Sequence, residues 1–358
     1  MTPIWIMVIV AVLAILQTVY YNHYGLRKVS YTRRFSRERA FEGEQVELVE
    51  VLSNDKLLPV PWVRVESRIS GDLQFRRQEN MGLSMDRFHK SLFYLGAFSR
   101  ITRRHEITCR HRGYYDCSLA SIVAGDLFGV AHDRADVMGD ARLFVYPAIL
   151  KPDEMPDTAL KWQGDVTVRR WILPDPILVT GIRAYRSGDP QKDVHWRATA
   201  RTGSLQVKQR DYTVSPQALL VLNCQISDRQ VGAMEPEDEA YLEGGVRICA
   251  ALAAWCVRSG VNVGFLTNGE SRLPEIDLRI PPRCSEAQLE RILEALAVLK
   301  IKMTLDLHVL LDRQIEQAVT DMDILIVSAY WSEVLEERAV KLRRLGNSVT
   351  WQKIGGSL

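Results

Sequence analysis

The chain has 358 residues, 47% of them apolar and 25% charged, which is typical of a globular protein with two soluble domains. Its 46 basic and 44 acidic residues leave a formal net charge of only +2, which argues against a general nucleic-acid-binding protein. The six cysteines are irregularly spaced and contain no Cys-x-x-Cys pair, so no disulfide framework is expected and a reducing compartment fits.

Residues 1–24 begin with a long apolar run. Residues 3–19 contain no charged side chain, and three tyrosines follow where an aromatic belt at the membrane interface is expected. A cleaved signal peptide is disfavoured, because no Lys or Arg precedes the run and no small-x-small cleavage site ends it. A buried core helix is also disfavoured, because the run is apolar on every face. The sequence therefore predicts an uncleaved transmembrane anchor over residues 1–24.

The charges on either side of this segment predict its orientation. Four basic residues follow the anchor, whereas only the α-amino group precedes it. The positive-inside bias therefore predicts a single-pass protein of the inner membrane, with the bulk of the chain in the cytoplasm. The four basic residues are Arg27, Lys28, Arg33 and Arg34.

Residues 30–147 carry the patterns of short strands. Residues 45–51 alternate between apolar and polar side chains, as a half-buried strand does. The strand at 60–65 is expected at a sheet edge, because Pro61 cannot donate a ladder hydrogen bond. Short strands separated by turn signals predict a small β-sandwich domain over residues 30–147. Further strands are predicted over residues 88–93, 101–109 and 119–123.

Residues 218–358 alternate between strand and helix patterns. The strand predicted at 218–223 begins with five consecutive apolar residues, as a buried central strand requires. Ser285 and Gln288 predict a capping box at the start of a helix. The alternation predicts a Rossmann-like α/β domain with a parallel sheet between two helix layers, so the whole chain is predicted to be an α+β multidomain protein. Strands are predicted over 218–223, 261–267, 324–328 and 348–353, and helices over 238–259, 285–299 and 331–345.

Residues 148–217 connect the two predicted domains and contain a block rich in motifs. Its pattern is Tyr-x-x-Gly-Asp, then Asp-x-x-Trp, then Ala-x-x-Gly-x-Leu just before a buried strand. This pattern resembles the signature of the domain-of-unknown-function 58 family. The matching residues are Tyr185, Gly188, Asp189, Asp193, Trp196, Ala200, Gly203 and Leu205, with Arg186, Arg197 and Arg201 among them.

Three earlier segments also resemble motifs of this family: residues 54–62, 112–114 and 126–129. The resemblance implies a membrane-tethered β domain followed by a fold similar to von Willebrand factor type A domains. It also implies a non-catalytic adaptor or scaffold, acting with a MoxR-type AAA ATPase in protein complex assembly or maturation. The partner would meet the carboxyl ends of the strands in the C-terminal domain.

A von Willebrand factor type A domain can bind Mg²⁺ through Asp-x-Ser-x-Ser after its first strand, where hard oxygen ligands converge. Here the corresponding residues are Asn223, Gln225 and Ser227, so only Ser227 is still the residue type that coordinates the ion. The later acidic position falls near Ser328 and Ala329. Without anionic ligands the site is degenerate, and neither a metal nor a cofactor is expected. An Mg²⁺-dependent ligand-binding domain stays open as an alternative.

The block offers a second candidate for chemistry. Asp189, Asp193 and His195 are residue types of an acid/base cluster, which an uncharacterised hydrolase could use. The alternative is a structural latch, in which the two acids pair with arginines of the block and fix its loop. We favour the latch, and therefore a protein that is not an enzyme. The arginines are Arg186, Arg197 and Arg201.

Overall fold

The computed structural model describes residues 2–68, 70–75, 88–130, 132–172, 179–186, 188–210, 216–227 and 236–354. The chain divides into two compact units, Met1–Ala148 and Ile149–Leu358. The first consists of an apolar helix and β-sheets, whereas the second mixes strands with helices. The chain is therefore a mixed α+β protein.

The first unit begins with helix α1, Thr2–Tyr24, at the position predicted for the anchor. Its 23 residues correspond to a length of about 35 Å, enough for a hydrocarbon core of about 30 Å. Its side chains are almost all exposed to the surroundings, and it is apolar enough to cross a membrane. This exposure distinguishes α1 from a core helix.

Strands make up the rest of the first unit. They form three sheets, with the orders β1-β3-β7-β5, β10-β9-β4-β6 and β2-β11-β8. The first two sheets share a core, in which Leu52 packs in one cluster with Val63 and Ile122. The strands are β1 Val29–Phe35, β2 Arg39–Phe41, β3 Gln45–Asn54, β4 Val60–Arg68, β5 Leu73–Phe75, β6 Phe88–Leu95, β7 Arg100–Cys109, β8 Gly113–Asp116, β9 Leu119–Gly125, β10 His132–Met138 and β11 Arg142–Tyr146.

Strand β4 does not lie at a sheet edge, so that prediction was wrong. It is paired with β9 on one side and with β6 on the other. The pairing with β6 skips from Val60 to Val63, and the pairing with β9 begins at Trp62. Pro61 therefore lies in an irregularity of the ladder, where its missing N–H leaves no partner unsatisfied.

The second unit is built around a five-stranded sheet with the order β17-β15-β14-β19-β20. The parallel pairing predicted for β14, β15, β19 and β20 is confirmed, and β17 adds an antiparallel edge. Two-stranded sheets, β12-β13 and β16-β18, complete the described strands. The strands are β12 Val179–Ala184, β13 Gln206–Arg210, β14 Gln217–Leu222, β15 Asn262–Thr267, β16 Gly269–Ser271, β17 Arg279–Arg283, β18 Leu299–Met303, β19 Met322–Ser328 and β20 Ser348–Lys353.

Helices cover both faces of the five-stranded sheet. Leu219 and Val221 of β14 point into the cluster that contains the buried side chains of α6 and α7. Leu222 points to the other face, where a Cβ on Gly245 of α4 would lie 3.1 Å from its Cδ1 atom. The helices are α2 Asp157–Ile172, α3 Trp196–Thr202, α4 Pro236–Arg258, α5 Glu286–Val298, α6 Leu307–Glu316 and α7 Glu333–Arg344.

The capping box predicted at α5 is half present. The Ser285 hydroxyl accepts a hydrogen bond from the backbone N–H of Gln288 at 3.1 Å, as predicted. The Gln288 side chain is buried, and instead of reaching back it donates to the carbonyls of Val263 and Pro281. It thereby provides a donor for two backbone carbonyls inside the core. Leaving these buried carbonyls unpaired would cost more free energy than leaving the capping box open.

Candidate functional site

The carboxyl ends of three adjacent parallel strands meet at one edge of the five-stranded sheet. Asn223 follows β14, Asn268 follows β15 and Ser328 ends β19, and all three residues are buried. The Asn223 Nδ2 atom donates to Ser328 Oγ at 2.9 Å. Its Oδ1 atom accepts from Asn268 Nδ2 at 2.9 Å and from the backbone N–H of Gln225 at 3.1 Å. We call these three side chains the strand-end network.

The strand-end network does not fit Mg²⁺. Both lone pairs of the Asn223 amide oxygen are already used, and the group carries no charge that could offset dehydration of the ion. Gln225 is buried and donates to the carbonyl of Ser227, whose own side chain is exposed. Within the described residues, no group of three or more His, Cys, Asp or Glu side chains could hold a metal ion. The side chains of the strand-end network instead hydrogen-bond to one another across the ends of the three strands.

We call the block from Tyr185 to Leu205 the signature block; it lies within the second unit and forms a small structure together with β12 and β13. Strands β12 and β13 pair antiparallel, and the short helix α3 lies between them in the chain. Gly203 ends α3 in the left-handed conformation (φ 68°), which explains a glycine at this position. Gly188 also has a positive φ, of 107°. The Tyr185 N–H donates to the carbonyl of Leu205, which fixes the two ends of the block together.

Asp189 holds the turn between β12 and α3. Its two carboxylate oxygens each accept a hydrogen bond from the Arg183 guanidinium at 2.7 Å, and one also accepts the backbone N–H of Arg186 at 2.8 Å. These hydrogen bonds, first of all those from Arg183, lower the pKa of Asp189 to about 2. The side-chain partner is thus Arg183, not the predicted Arg186, which contributes only its backbone. Arg197 and Arg201 are exposed on α3.

His195 serves as the N-cap of α3. Its Nδ1 atom accepts a hydrogen bond from the Ala198 N–H at 3.1 Å, and its backbone N–H donates to the carbonyl of Gln206. A neutral imidazole that accepts through Nδ1 carries its proton on Nε2, so neither nitrogen has a free lone pair for proton abstraction. Asp193 closes the preceding turn through its backbone N–H and the carbonyl of Pro190. These contacts favour a structural role for the predicted acid/base cluster.

Several side chains of the motif and of the adjoining strand β12 are exposed. Trp196 is 70% exposed, although a tryptophan is usually largely buried. Ile182 and Leu205 are also exposed, together with the charged Arg197 and Arg201. We call these five residues the signature face. Ala200 is exposed on the same helix.

Residues 181–350 match the family model described as "Protein of unknown function DUF58". No curated protein matches the chain. Distant similarity exists to a CARDB domain from Pyrococcus furiosus (12% identity, 32% of this chain and 90% of that one, TM-score 0.20). A cohesin from Archaeoglobus fulgidus is similar at the same level (10% identity, 33% of this chain and 91% of that one, TM-score 0.22). So is a mutant of Salmonella α2-macroglobulin (13% identity, 34% of this chain and 7% of that one, TM-score 0.23). Similarity at this level identifies neither fold nor function. The match over residues 181–350, which includes the motif residues from Tyr185 to Leu205, supports assignment of this part of the chain to the DUF58 family.

Proposed function

We propose that this protein is a membrane-anchored, non-catalytic adaptor, which acts with a MoxR-type AAA ATPase in protein complex assembly or maturation. Helix α1 is the anchor, and the basic residues after it keep both units in the cytoplasm. The second unit has a central parallel sheet between two helix layers, which supports a von Willebrand factor type A-like fold. The ATPase partner rests on the family resemblance.

The observation that carries the adaptor proposal is the exposure of Trp196 on the signature face. Tryptophan and arginine are the residue types that contribute most to binding energy when a partner buries them. An exposed apolar group rimmed by charged side chains is typical of an interaction site. The strand ends offer a partner much less, because Asn223, Asn268 and Ser328 are buried and bonded to one another. We therefore assign the docking surface to the signature face.

The test is co-purification of the ATPase with the full-length protein from membranes. Trp196→Ala and Arg197→Glu are expected to reduce the captured ATPase at least tenfold, since hot-spot side chains contribute about 2 kcal/mol or more. Tyr241→Ala is the matched control, because Tyr241 is an exposed aromatic residue on α4 of the same unit. Equal capture by all three variants contradicts the assigned surface. If the wild-type protein captures no ATPase, the proposal that the ATPase is its partner is wrong.

A calorimetric titration addresses the metal-dependent alternative. Mg²⁺ added to the full-length protein is expected to give no binding heat, because the Asn223 oxygen is already doubly hydrogen-bonded. Micromolar binding that is lost in Asn223→Ala would favour the alternative, an Mg²⁺-dependent ligand-binding domain.

A further inference from the structure

Three loops lie at the same end of the first unit, next to the C-terminal part of α1. They connect β3 to β4 (residues 55–59), β6 to β7 (96–99) and β9 to β10 (126–130). We propose that these three membrane-facing loops insert their apolar side chains into the lipid bilayer that α1 spans. This inference rests on the anchor part of the proposed function and adds a second, interfacial contact with lipid.

Hydrogen bonds attach the first loop to the end of α1. Lys56 is buried, and its Nζ atom donates to the carbonyls of Tyr24 and Gly25 at 3.0 and 2.6 Å, so it caps the helix. The Tyr21 hydroxyl donates to the carbonyl of Pro59 at 2.6 Å. The loop therefore lies where the tyrosines of α1 mark the expected membrane interface.

The other two loops are held at the same level. Asn54 Nδ2 donates to the carbonyls of Leu58 and Gly96, which joins the first loop to the second. The hydroxyl of Thr18 in α1 donates to the carboxylate of Asp126 at 3.0 Å, which attaches the third loop to the helix. All three loops are thus fixed relative to α1 within one unit.

The loops present large apolar side chains that nothing in the described part of the unit covers. Each is between 45% and 73% exposed. Phe98 has a positive φ of 44°, which residues other than glycine rarely adopt, so the tip of its hairpin is held in a strained conformation. The exposed side chains are Leu57, Leu58, Phe98, Leu127, Phe128 and Val130.

Asp126 and the N–H groups of Gly129 and Val130 in the third loop have hydrogen-bond partners within the unit, as insertion into lipid requires. Asp126 is buried, and its carboxylate accepts the backbone N–H of Val130 at 2.8 Å. Its carbonyl accepts the Trp62 indole N–H at 2.9 Å and the Gly129 N–H at 3.3 Å. These polar groups are therefore paired within the unit, whereas the apolar side chains of the loop are exposed.

The packing of the third loop against α1 indicates how deeply Phe128 lies in the membrane. Phe128 and Val130 line one surface depression together with α1 residues from Ala14 to Val19. Ile15 lies six residues before Tyr21, a rise of about 9 Å along the helix. With Tyr21 at the interface, Phe128 reaches the boundary between headgroups and acyl chains, where interfacial apolar groups insert by about 5–10 Å. The continuity with α1 makes lipid the occupant of this surface.

The test uses the full-length protein in vesicles of phosphatidylcholine and phosphatidylglycerol that carry doxyl-labelled acyl chains. In a Cys284→Ala background the remaining cysteines are buried, and burial raises the pKa of the Cys109 thiol to about 11, so an introduced cysteine labels selectively. An NBD fluorophore is attached to Phe128→Cys, to Leu13→Cys in α1, or to Met138→Cys. Met138 is the matched control, because it is 80% exposed but lies at the opposite end of β10.

We expect doxyl quenching at positions 128 and 13 and none at position 138. Quenching at 13 but not at 128 overturns the loop insertion and leaves the anchor intact. Absence of quenching at both positions overturns the anchor and with it the present inference. Energy transfer between fluorophores at position 128 without doxyl quenching would identify a second copy as the occupant and also overturn the inference. A label at Phe98→Cys repeats the measurement on an independent loop, with quenching expected there as well.

Discussion

Substitution of Asn223 by alanine tests whether the strand-end network is structural or a ligand site. The change removes three hydrogen bonds, to Ser328, Asn268 and the backbone N–H of Gln225. At about 1 kcal/mol each, the free energy of unfolding should fall by about 3 kcal/mol. The change also takes an acceptor from the buried donors of Asn268 and Gln225, and an unsatisfied buried donor costs further free energy, so the value is a lower bound.

The expected loss converts into a measurable shift. For a unit of this size each kcal/mol lowers the melting temperature by about 2–4 °C, so Asn223→Ala should melt about 6–12 °C below the wild type. The assay is thermal unfolding of the detergent-solubilised full-length protein. Ser227→Ala is the control, because the exposed Ser227 side chain is expected to change stability by less than about 0.5 kcal/mol.

Two outcomes would refute this reasoning. The first is a shift of less than about 2 °C for Asn223→Ala, which would mean that the network contributes little to stability. The second is an Mg²⁺-dependent rise in the melting temperature of the wild type. Asn223→Asp adds a test by pH, because burial raises the pKa of the new carboxyl and disfavours its charged form. Its destabilisation should be greatest at neutral pH and decrease as the pH falls and the group is protonated.

Three further predictions concern other parts of the chain. Asp189→Ala should lower the melting temperature at neutral pH. Because the pKa of Asp189 is lowered to about 2, the difference should persist above the ordinary carboxyl pKa and vanish as the pH falls towards 2; an unchanged melting temperature contradicts the latch. Gly125→Ala should destabilise the first unit by about 1–3 kcal/mol, because a Cβ would overlap the Trp62 ring; unchanged thermal unfolding contradicts this. Lys56→Met should speed hydrogen exchange at residues 20–25, and unaltered exchange would show that the cap is dispensable.

The sequence predicts the strands of the second unit well because their side chains are buried on both faces. Residues 218–222 and 324–327 are continuously apolar, and β14 and β19 occupy the predicted ranges 218–223 and 324–328 with at most two residues of difference. Helix α2 escaped prediction because, over its residues 157–168, only a narrow stripe is buried. That stripe consists of Ala159, Trp162 and Val166, and charged residues and Gly164 interrupt the pattern between them.

The candidate site was predictable only where its residues belong to one motif. Asn223, Gln225 and Ser227 follow β14 as predicted, but Asn268 was missed because it follows β15, 45 positions away. A signal was available: a polar residue directly after a neighbouring parallel strand must lie at the same sheet edge. Arg183 was missed because it precedes the motif, on a strand that the pattern did not predict.

The motif residues fall into two groups that differ in burial, and this difference predicts different consequences of substitution. Asn54, Lys56 and Asp126 of the first unit are buried and bind the end of α1 or its neighbouring loop, so their loss should disturb folding or anchoring. Trp196 and Arg197 of the signature face are exposed, so their loss should leave both intact. A variant that is folded and membrane-inserted, but no longer captures the ATPase, is therefore expected from the second group only. Such a phenotype arising from the first group would mean that the membrane-proximal end, rather than the signature face, meets the partner.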